Sequence, residues 1–164
     1  MFRDDLIFIL DVDGILSPNF FYNKKGKYLK EFGNCDWDAL RELMQFIKII
    51  FITADRKGYN IVKKRIVDEM KWELFIVPHK PKERWQWMRE KYKDKKIIFM
   101  GDGIYDYYSL DRSHYSITVP EALDHVKECI NYVTKRSAGR KAVAEACMHL
   151  MKVFNFDWES QYET

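Results

Sequence analysis

Four apolar runs of strand length constrain the fold of this chain most, because each run ends in polar or acidic residues. A continuous apolar run of this length is typical of a parallel strand that is buried on both faces. The first run is followed by Asp11-Val12-Asp13-Gly14, and the fourth is followed by Gly101-Asp102-Gly103. Weaker runs at 116–119 and 131–133 predict two further strands. The four strong runs span residues 6–10, 49–52, 74–77 and 97–100.

Segments with helical spacing lie between these runs. Apolar residues within 37–47 recur every three or four positions, and Asp36 precedes them as a candidate N-cap. Pro81 is well suited to the first position of another helix. The alternation of strands and helices predicts an α/β fold, a three-layer sandwich around a central parallel sheet. The other predicted helices lie within residues 59–70, 105–110, 120–127 and 140–154.

One segment interrupts this alternation directly after the first strand. Two short aromatic-containing runs within residues 19–31 flank Asn23-Lys24-Lys25-Gly26, and this pattern predicts a small β-hairpin insertion. The sequence contains no linker-like stretch and no internal repeat. We therefore expect a single domain over residues 1–164, with an irregular tail at 155–164.

The composition narrows the choice of partners. The chain has 164 residues and a net charge of 28 − 25 = +3, which is too small to predict nucleic-acid binding. No apolar run approaches the ~20 residues of a membrane span, and the acidic N-terminus is unlike a signal peptide. We therefore expect a cytoplasmic protein that binds neither nucleic acid nor membrane. Three cysteines without a C-x-x-C pair predict reduced thiols rather than disulfides or a zinc site.

Polar side chains that follow the strands carry the predicted chemistry, because ligands of parallel sheets bind beyond the carboxyl ends of the strands. Carboxylates gathered there repel each other unless a cation joins them. Mg²⁺ fits this set because it prefers oxygen ligands and accepts phosphate oxygens. An aspartate nucleophile and a nearby cation then allow phosphoryl transfer. The residues expected at this edge are Asp11, Asp13, Thr53, Asp102 and Asp106, with Lys80 or Lys82 as the cation.

Four motifs carry a family resemblance. Asp11-Val12-Asp13-Gly14, Thr53, Lys82 and Gly101-Asp102-Gly103-x-x-Asp106 resemble, in order and spacing, the motifs of the haloacid dehalogenase superfamily. The resemblance extends from about residue 6 to residue 151. Within the superfamily, the hairpin and the stretches 32–40 and 132–136 resemble the capless 3-deoxy-octulosonate 8-phosphate phosphatases and their sialic-acid-type relatives.

The resemblance implies a Rossmann-like fold without a large cap domain. It also implies a phosphatase that acts on a small phosphorylated sugar acid, of the octulosonate 8-phosphate or nonulosonate 9-phosphate type. Such enzymes belong to sugar-acid and lipopolysaccharide biosynthesis. Members of this capless type are usually homotetramers in which the hairpin of one subunit helps to close the active site of another.

The resemblance also assigns roles to the acidic residues. It implies that Asp11 is the nucleophile and that Asp13 is the general acid and base. For Mg²⁺, it implies Asp11 and Asp102 as ligands, together with the backbone carbonyl of Asp13. Asp106 is expected to complete or support this metal site.

The residues expected to bind the substrate are less fully matched to the family pattern. The resemblance implies that Thr53 and Lys82 hold the phosphoryl group. After the threonine, the family often has Gly-Arg, whereas this chain has Ala54-Asp55-Arg56, so Ala54 and Arg56 are candidate substrate-binding residues. Asp55 and Arg56 are equally compatible with a surface ion pair.

Other departures concern substrate identity. Gly103 stands where the family often has a second aspartate, and the loop 137–141 carries one glycine and two added cations. Lys135 and Arg136 either recognise a substrate carboxylate or are solvated surface charges. Two alternatives therefore stay open, namely a phosphatase of another small metabolite or nucleotide, and a non-catalytic oligomerisation module of a sugar-acid activation pathway.

Overall fold

The computed structural model describes residues 1–158 and contains a six-stranded parallel sheet. Its strands are β1 (Leu6–Asp11), β4 (Lys48–Thr53), β5 (Leu74–Ile76), β6 (Lys96–Met100), β7 (Tyr115–Thr118) and β8 (Tyr132–Val133). The strand order is β5-β4-β1-β6-β7-β8, so the first strand lies at the centre. The predicted α/β fold with a central parallel sheet is therefore confirmed, including its two weaker strands.

The central strand explains the three-layer arrangement. Every residue of β1 is buried, and its side chains alternate between two separate hydrophobic cores. Leu6, Phe8 and Leu10 belong to one core, and Ile7 and Ile9 belong to the other. A strand can be apolar throughout only when helices cover both faces of its sheet.

The helices cover these two faces. A π-helical segment, Lys64–Glu69, continues α2 directly. Pro81 begins α3, as predicted, because its fixed φ and missing N–H suit the first turn of a helix. The helices are α1 (Asp36–Leu43), α2 (Tyr59–Lys63), α3 (Pro81–Lys91), α4 (Tyr107–Arg112), α5 (Asp124–Lys127) and α6 (Ala142–Val153).

Asp36 differs from its predicted role as the N-cap of α1. Cys35 occupies the N-cap position, and Asp36 is the first residue of the helix. Its buried Oδ1 accepts a hydrogen bond from the backbone N–H of Ala144, 2.9 Å away in the first turn of α6. The carboxylate therefore caps a helix that lies 108 positions further along the chain, and local sequence gives no signal for such a contact.

The predicted hairpin is confirmed as β2 (Phe20–Asn23) paired antiparallel with β3 (Gly26–Lys30). It forms a two-stranded sheet outside the main sheet. Its large side chains are exposed, namely Phe20, Phe21, Tyr22, Tyr28 and Leu29. Of the predicted tail, residues 156–158 have no regular structure and 159–164 lie outside the described residues.

The strand order places a crevice at the carboxyl end of β1. The chain runs from β1 outward to β4 and β5 on one side, and then returns to β6, β7 and β8 on the other. Such a reversal separates the loops that follow the strands on its two sides and leaves room for a ligand. Within residues 1–158, no helix is long and apolar enough to cross a membrane.

Candidate active site

Three carboxylates meet at the crevice beyond β1. Asp11 is the last residue of β1, whereas Asp102 and Asp106 follow β6, its hydrogen-bonded neighbour. One oxygen from each of the three lies within 4.8 Å of the others. The structure therefore brings together three of the four residues that the sequence predicted around a metal ion.

The crowding of these acids changes their protonation. Burial, followed by repulsion from Asp106, raises the pKa of Asp11 well above its usual range, although Arg84 opposes the shift. Burial and the charge of Asp106 raise the pKa of Asp102 to about 7. Both carboxylates therefore need an additional positive charge to stay ionised at neutral pH.

Arg84 supplies a buried cation that sequence reasoning did not predict. Its residue surface is 4% exposed. Its guanidinium donates to Asp106 Oδ1 and, through Nε, to the carbonyl of Pro78 at 3.2 Å. Its Nη1 lies 4.0 Å from Asp11 Oδ2. Arg84 is four residues before the buried Met88, and this helical spacing was a signal that α3 turns both side chains inward.

Besides its contact with Arg84, Asp106 binds the backbone of the loop that follows β6. Its Oδ2 accepts backbone N–H groups of Asp102 at 3.3 Å and Gly103 at 3.0 Å. Gly101 is equally constrained, since an added Cβ would stand 2.8 Å from the Asp106 carboxyl carbon. Asp106 therefore fixes the backbone that presents Asp102, while its support of a metal site stays a prediction.

Gly14 makes room for Asp102 on the opposite loop. Its φ is +80°, a conformation that glycine adopts at low cost. A Cβ at this position would overlap the carboxylate of Asp102. The Asp-Val-Asp-Gly motif therefore ends in glycine for a packing reason, because the two loops approach closely at the site.

Asp13 lies beside Thr53 at the same edge. Thr53 ends β4, is fully buried, and donates its hydroxyl to Asp13 Oδ2 over 3.3 Å. The other oxygen, Asp13 Oδ1, accepts from Lys30 Nζ at 2.6 Å. The structure thus brings these two predicted residues together with a lysine from the hairpin.

Asp55 forms a partly buried network with the hairpin rather than a surface pair with Arg56. Burial raises its pKa, but hydrogen bonds from Lys27, Gly58 and Lys30 outweigh burial and lower the pKa of Asp55 to about 2. Arg56 is exposed, and no ion pair with Asp55 occurs within residues 1–158. The surface-pair alternative for these two residues is therefore wrong.

The remaining candidate cations lie outside the acidic cluster. Lys82 is exposed and lines an open groove of ≈ 550 Å³ beside Ile104, Tyr107 and Tyr108. Lys80 pairs with a neighbouring glutamate instead. The role of Lys82 in holding the phosphoryl group stays a prediction, and Arg84 is the cation that lies beside Asp11 and Asp106.

Ala54 lies in the loop after β4, and Lys135 and Arg136 lie in the loop after β8. Ala54 is half-buried and follows Thr53 directly. Lys135 and Arg136 are exposed, and both donate their backbone N–H groups to the carboxylate of Glu145, at 2.9 and 2.8 Å. The loop backbone is thus anchored to α6 while both side chains remain exposed.

The donor set fits a hard divalent cation. Three carboxylates converge, two of them with raised pKa values, and such groups bind Mg²⁺ through oxygen. Within residues 1–158, this is the one group of three or more His, Cys, Asp or Glu side chains that are close enough to share a metal ion, and it contains no histidine and no cysteine. A magnesium ion held by Asp11 and Asp102 would supply the missing positive charge.

Comparison with known protein structures identifies the class of fold to which this chain is similar. A putative haloacid dehalogenase superfamily (subfamily III A) hydrolase from Legionella pneumophila superposes with a TM-score of 0.79 at 25% identity, covering 91% of this chain and 83% of that one. The chain matches no known family model. Its fold is that of haloacid dehalogenase superfamily hydrolases, as the four motifs predicted.

Individual relatives show which group of hydrolases within this class the chain resembles. The chain is 28% identical over 145 residues to 3-deoxy-D-manno-octulosonate 8-phosphate phosphatase KdsC of Escherichia coli, covering 86% of this chain and 76% of the relative. The corresponding phosphatase from Moraxella catarrhalis, solved with magnesium, phosphate and KDO, superposes with a TM-score of 0.80 at 23% identity. That superposition covers 96% of this chain and 92% of the other. The predicted resemblance to this group of phosphatases is therefore confirmed.

Proposed function

We propose that this chain is a cytosolic, single-domain phosphatase that hydrolyses a small phosphorylated sugar acid with the help of Mg²⁺. The observation that carries the proposal is the convergence of Asp11, Asp102 and Asp106 at the carboxyl edge of the sheet, where the buried Arg84 lies beside Asp11 and Asp106. The similarity to octulosonate 8-phosphate phosphatases supports a substrate of the same type. Magnesium, when bound, lets the anionic phosphate approach the acidic cluster.

The first half-reaction transfers the phosphoryl group to the protein. A carboxylate oxygen of Asp11 attacks phosphorus, and the bond from phosphorus to the sugar oxygen breaks. Asp13 gives its proton to the departing sugar oxygen, so the sugar acid leaves as an alcohol. Arg84 lies near enough to Asp11 to stabilise negative charge on the phosphoryl oxygens.

The second half-reaction regenerates the protein. A water molecule attacks the phosphorus of the aspartyl-phosphate, and Asp13 accepts a proton from that water. The bond from phosphorus to the Asp11 oxygen breaks, which releases inorganic phosphate and restores both carboxyl groups. Thr53, beside Asp13, is the proposed hydroxyl donor to the phosphoryl group in both steps.

A panel of phosphate esters with Mg²⁺ tests this proposal. We expect phosphate release from an octulosonate or nonulosonate phosphate to exceed release from nucleotides, and chelation of Mg²⁺ to abolish it. Asp11→Asn should remove activity, whereas Asp38→Asn, an exposed carboxylate on α1, should retain it. Absence of hydrolysis by the wild type, or equal activity of Asp11→Asn, would overturn the proposal. Preference for a nucleotide would retain the chemistry and replace the substrate.

A homotetramer is the proposed assembly, and the hairpin gives a reason. Tyr22 is 61% exposed and Leu29 is 50% exposed, although both are large apolar side chains. Burying such a surface against another copy would stabilise an oligomer. Light scattering of the purified protein tests this, and we expect a mass near four chains. The substitution Leu29→Lys, on the exposed face of the hairpin, should favour smaller species.

A further inference from the structure

The hairpin strand β3 has an inverted pattern of burial. Its apolar residues Tyr28 and Leu29 are exposed, whereas the side chain of Lys30 is 0% exposed. A lysine ammonium is strongly hydrated and is buried only when it is paired. The buried ammonium of Lys30 therefore requires anionic partners within the fold.

Lys30 joins two carboxylates of the site region. Its Nζ lies 2.6 Å from Asp13 Oδ1 and 3.1 Å from Asp55 Oδ2. Lys27, three residues earlier, also reaches Asp55 Oδ2 at 2.7 Å but contacts no other carboxylate within residues 1–158. Asp55 Oδ1 is held by the N–H of Gly58 at 3.0 Å, which fixes the acceptor end of this network.

The geometry points to Lys30 as a positioning residue that acts through Asp13, with Asp55 as its anchor. Lys30 holds Asp13 Oδ1 while Thr53 contacts Oδ2, so the carboxyl group is restrained at both oxygens. Restraint of this kind reduces the rotamer freedom that proton transfer to a leaving group would otherwise have to overcome. The inference deepens the proposed function and rests on it, because Asp13 is the proposed acid.

Leaving groups of different basicity distinguish positioning from a purely structural role. A sugar alkoxide needs a proton as it departs, whereas p-nitrophenolate leaves without one. The value of kcat/KM reports steps up to departure of the leaving group, so it isolates this proton transfer from later water attack. Misplacement of Asp13 should therefore reduce hydrolysis of sugar phosphate more than hydrolysis of p-nitrophenyl phosphate.

The test compares Lys30→Met with Lys27→Met in the full chain with Mg²⁺. Both variants remove a lysine that binds Asp55, but only the first removes the contact to Asp13. We expect Lys30→Met to lose about tenfold to hundredfold in kcat/KM on sugar phosphate, which is less than the full contribution of a general acid because Asp13 itself remains, and less than about threefold on the aryl ester. Lys27→Met should reduce both substrates by a similar, small factor.

Three outcomes decide the matter. Equal losses on both substrates in folded Lys30→Met, or equal selectivity changes in the two lysine variants, would overturn the positioning role while leaving the phosphatase proposal intact. No hydrolysis of either ester by the wild type would overturn both. If urea unfolding shows that Lys30→Met does not fold, Asp55→Asn replaces it. That variant keeps Lys30 but removes its second carboxylate, and it should show the same selective loss to a smaller degree.

Discussion

Substitution of Arg84 is the change that tests the site geometry most directly. The sequence favoured Lys82 as the cation that neutralises the phosphoryl group, whereas the structure places Arg84 against the acids. Arg84→Met removes a guanidinium from a residue that is 4% exposed and leaves Asp106 without its charged partner. Lys82→Met removes an exposed charge from the same helix and is therefore the matched control.

The magnitudes follow from burial. Removing one partner of a buried ion pair costs about 3–5 kcal/mol of folding stability, because the other charge stays buried and unpaired. An exposed lysine contributes within about 0.5 kcal/mol. For catalysis, loss of a preorganised donor near the reacting oxygens costs about 10²–10³-fold in kcat. Arg84→Lys keeps the charge but not the planar fork, and we expect it to fall between the wild type and Arg84→Met.

Urea unfolding and steady-state hydrolysis of p-nitrophenyl phosphate measure the two effects separately. The rates are measured without urea and are compared only for variants whose unfolding curves show them to be folded under those conditions. We expect kcat to fall in the order wild type, Lys82→Met, Arg84→Lys, Arg84→Met. The reasoning is refuted if Lys82→Met loses about a hundredfold while Arg84→Lys keeps nearly full activity, since Lys82 would then be the neutralising cation.

Three further changes probe the packing and protonation of the site. Gly14→Ala places a side chain at a positive φ and against the carboxylate of Asp102, so we expect the unfolding free energy to fall by roughly 1–3 kcal/mol. Because Asp102 is displaced, the free energy of Mg²⁺ binding measured by calorimetry should weaken by more than this amount. Asp36→Ala should lower the unfolding free energy by about 1–2 kcal/mol through loss of the α6 cap, and Asp36→Asn by less, because its amide oxygen still accepts from Ala144; equal losses would argue against capping. Without metal, the raised pKa of Asp102, about 7, means that the folded state binds more protons than the unfolded state near neutral pH, so stability is lost as pH rises through about 7. Between the unfolded pKa of 3.8 and the folded pKa of about 7, the slope approaches about 1.4 kcal/mol per pH unit, and saturating Mg²⁺ should remove it. A flat metal-free profile between these two pKa values contradicts the charge crowding.

The sequence determined the parts of this protein that depend on local pattern. Continuous apolar runs such as 6–10 need cover on both faces of a sheet, so they specify a parallel α/β fold without knowledge of tertiary contacts. Because parallel strands end at the same edge, Asp11 and Asp102 were predicted to meet although 91 positions separate them. The hairpin was predictable for the same local reason, from the turn around Gly26.

Tertiary structure alone decided which charges contact each other. The positions of Lys82 and Arg84 differ by two residues on one helix, and the rotation of α3 on the sheet turns Arg84 inward and leaves Lys82 exposed. Lys30 and Asp55 meet only because the hairpin folds back over the end of β4. Such contacts depend on how separate elements dock, and the free energy of docking comes from the whole core rather than from the residues that meet.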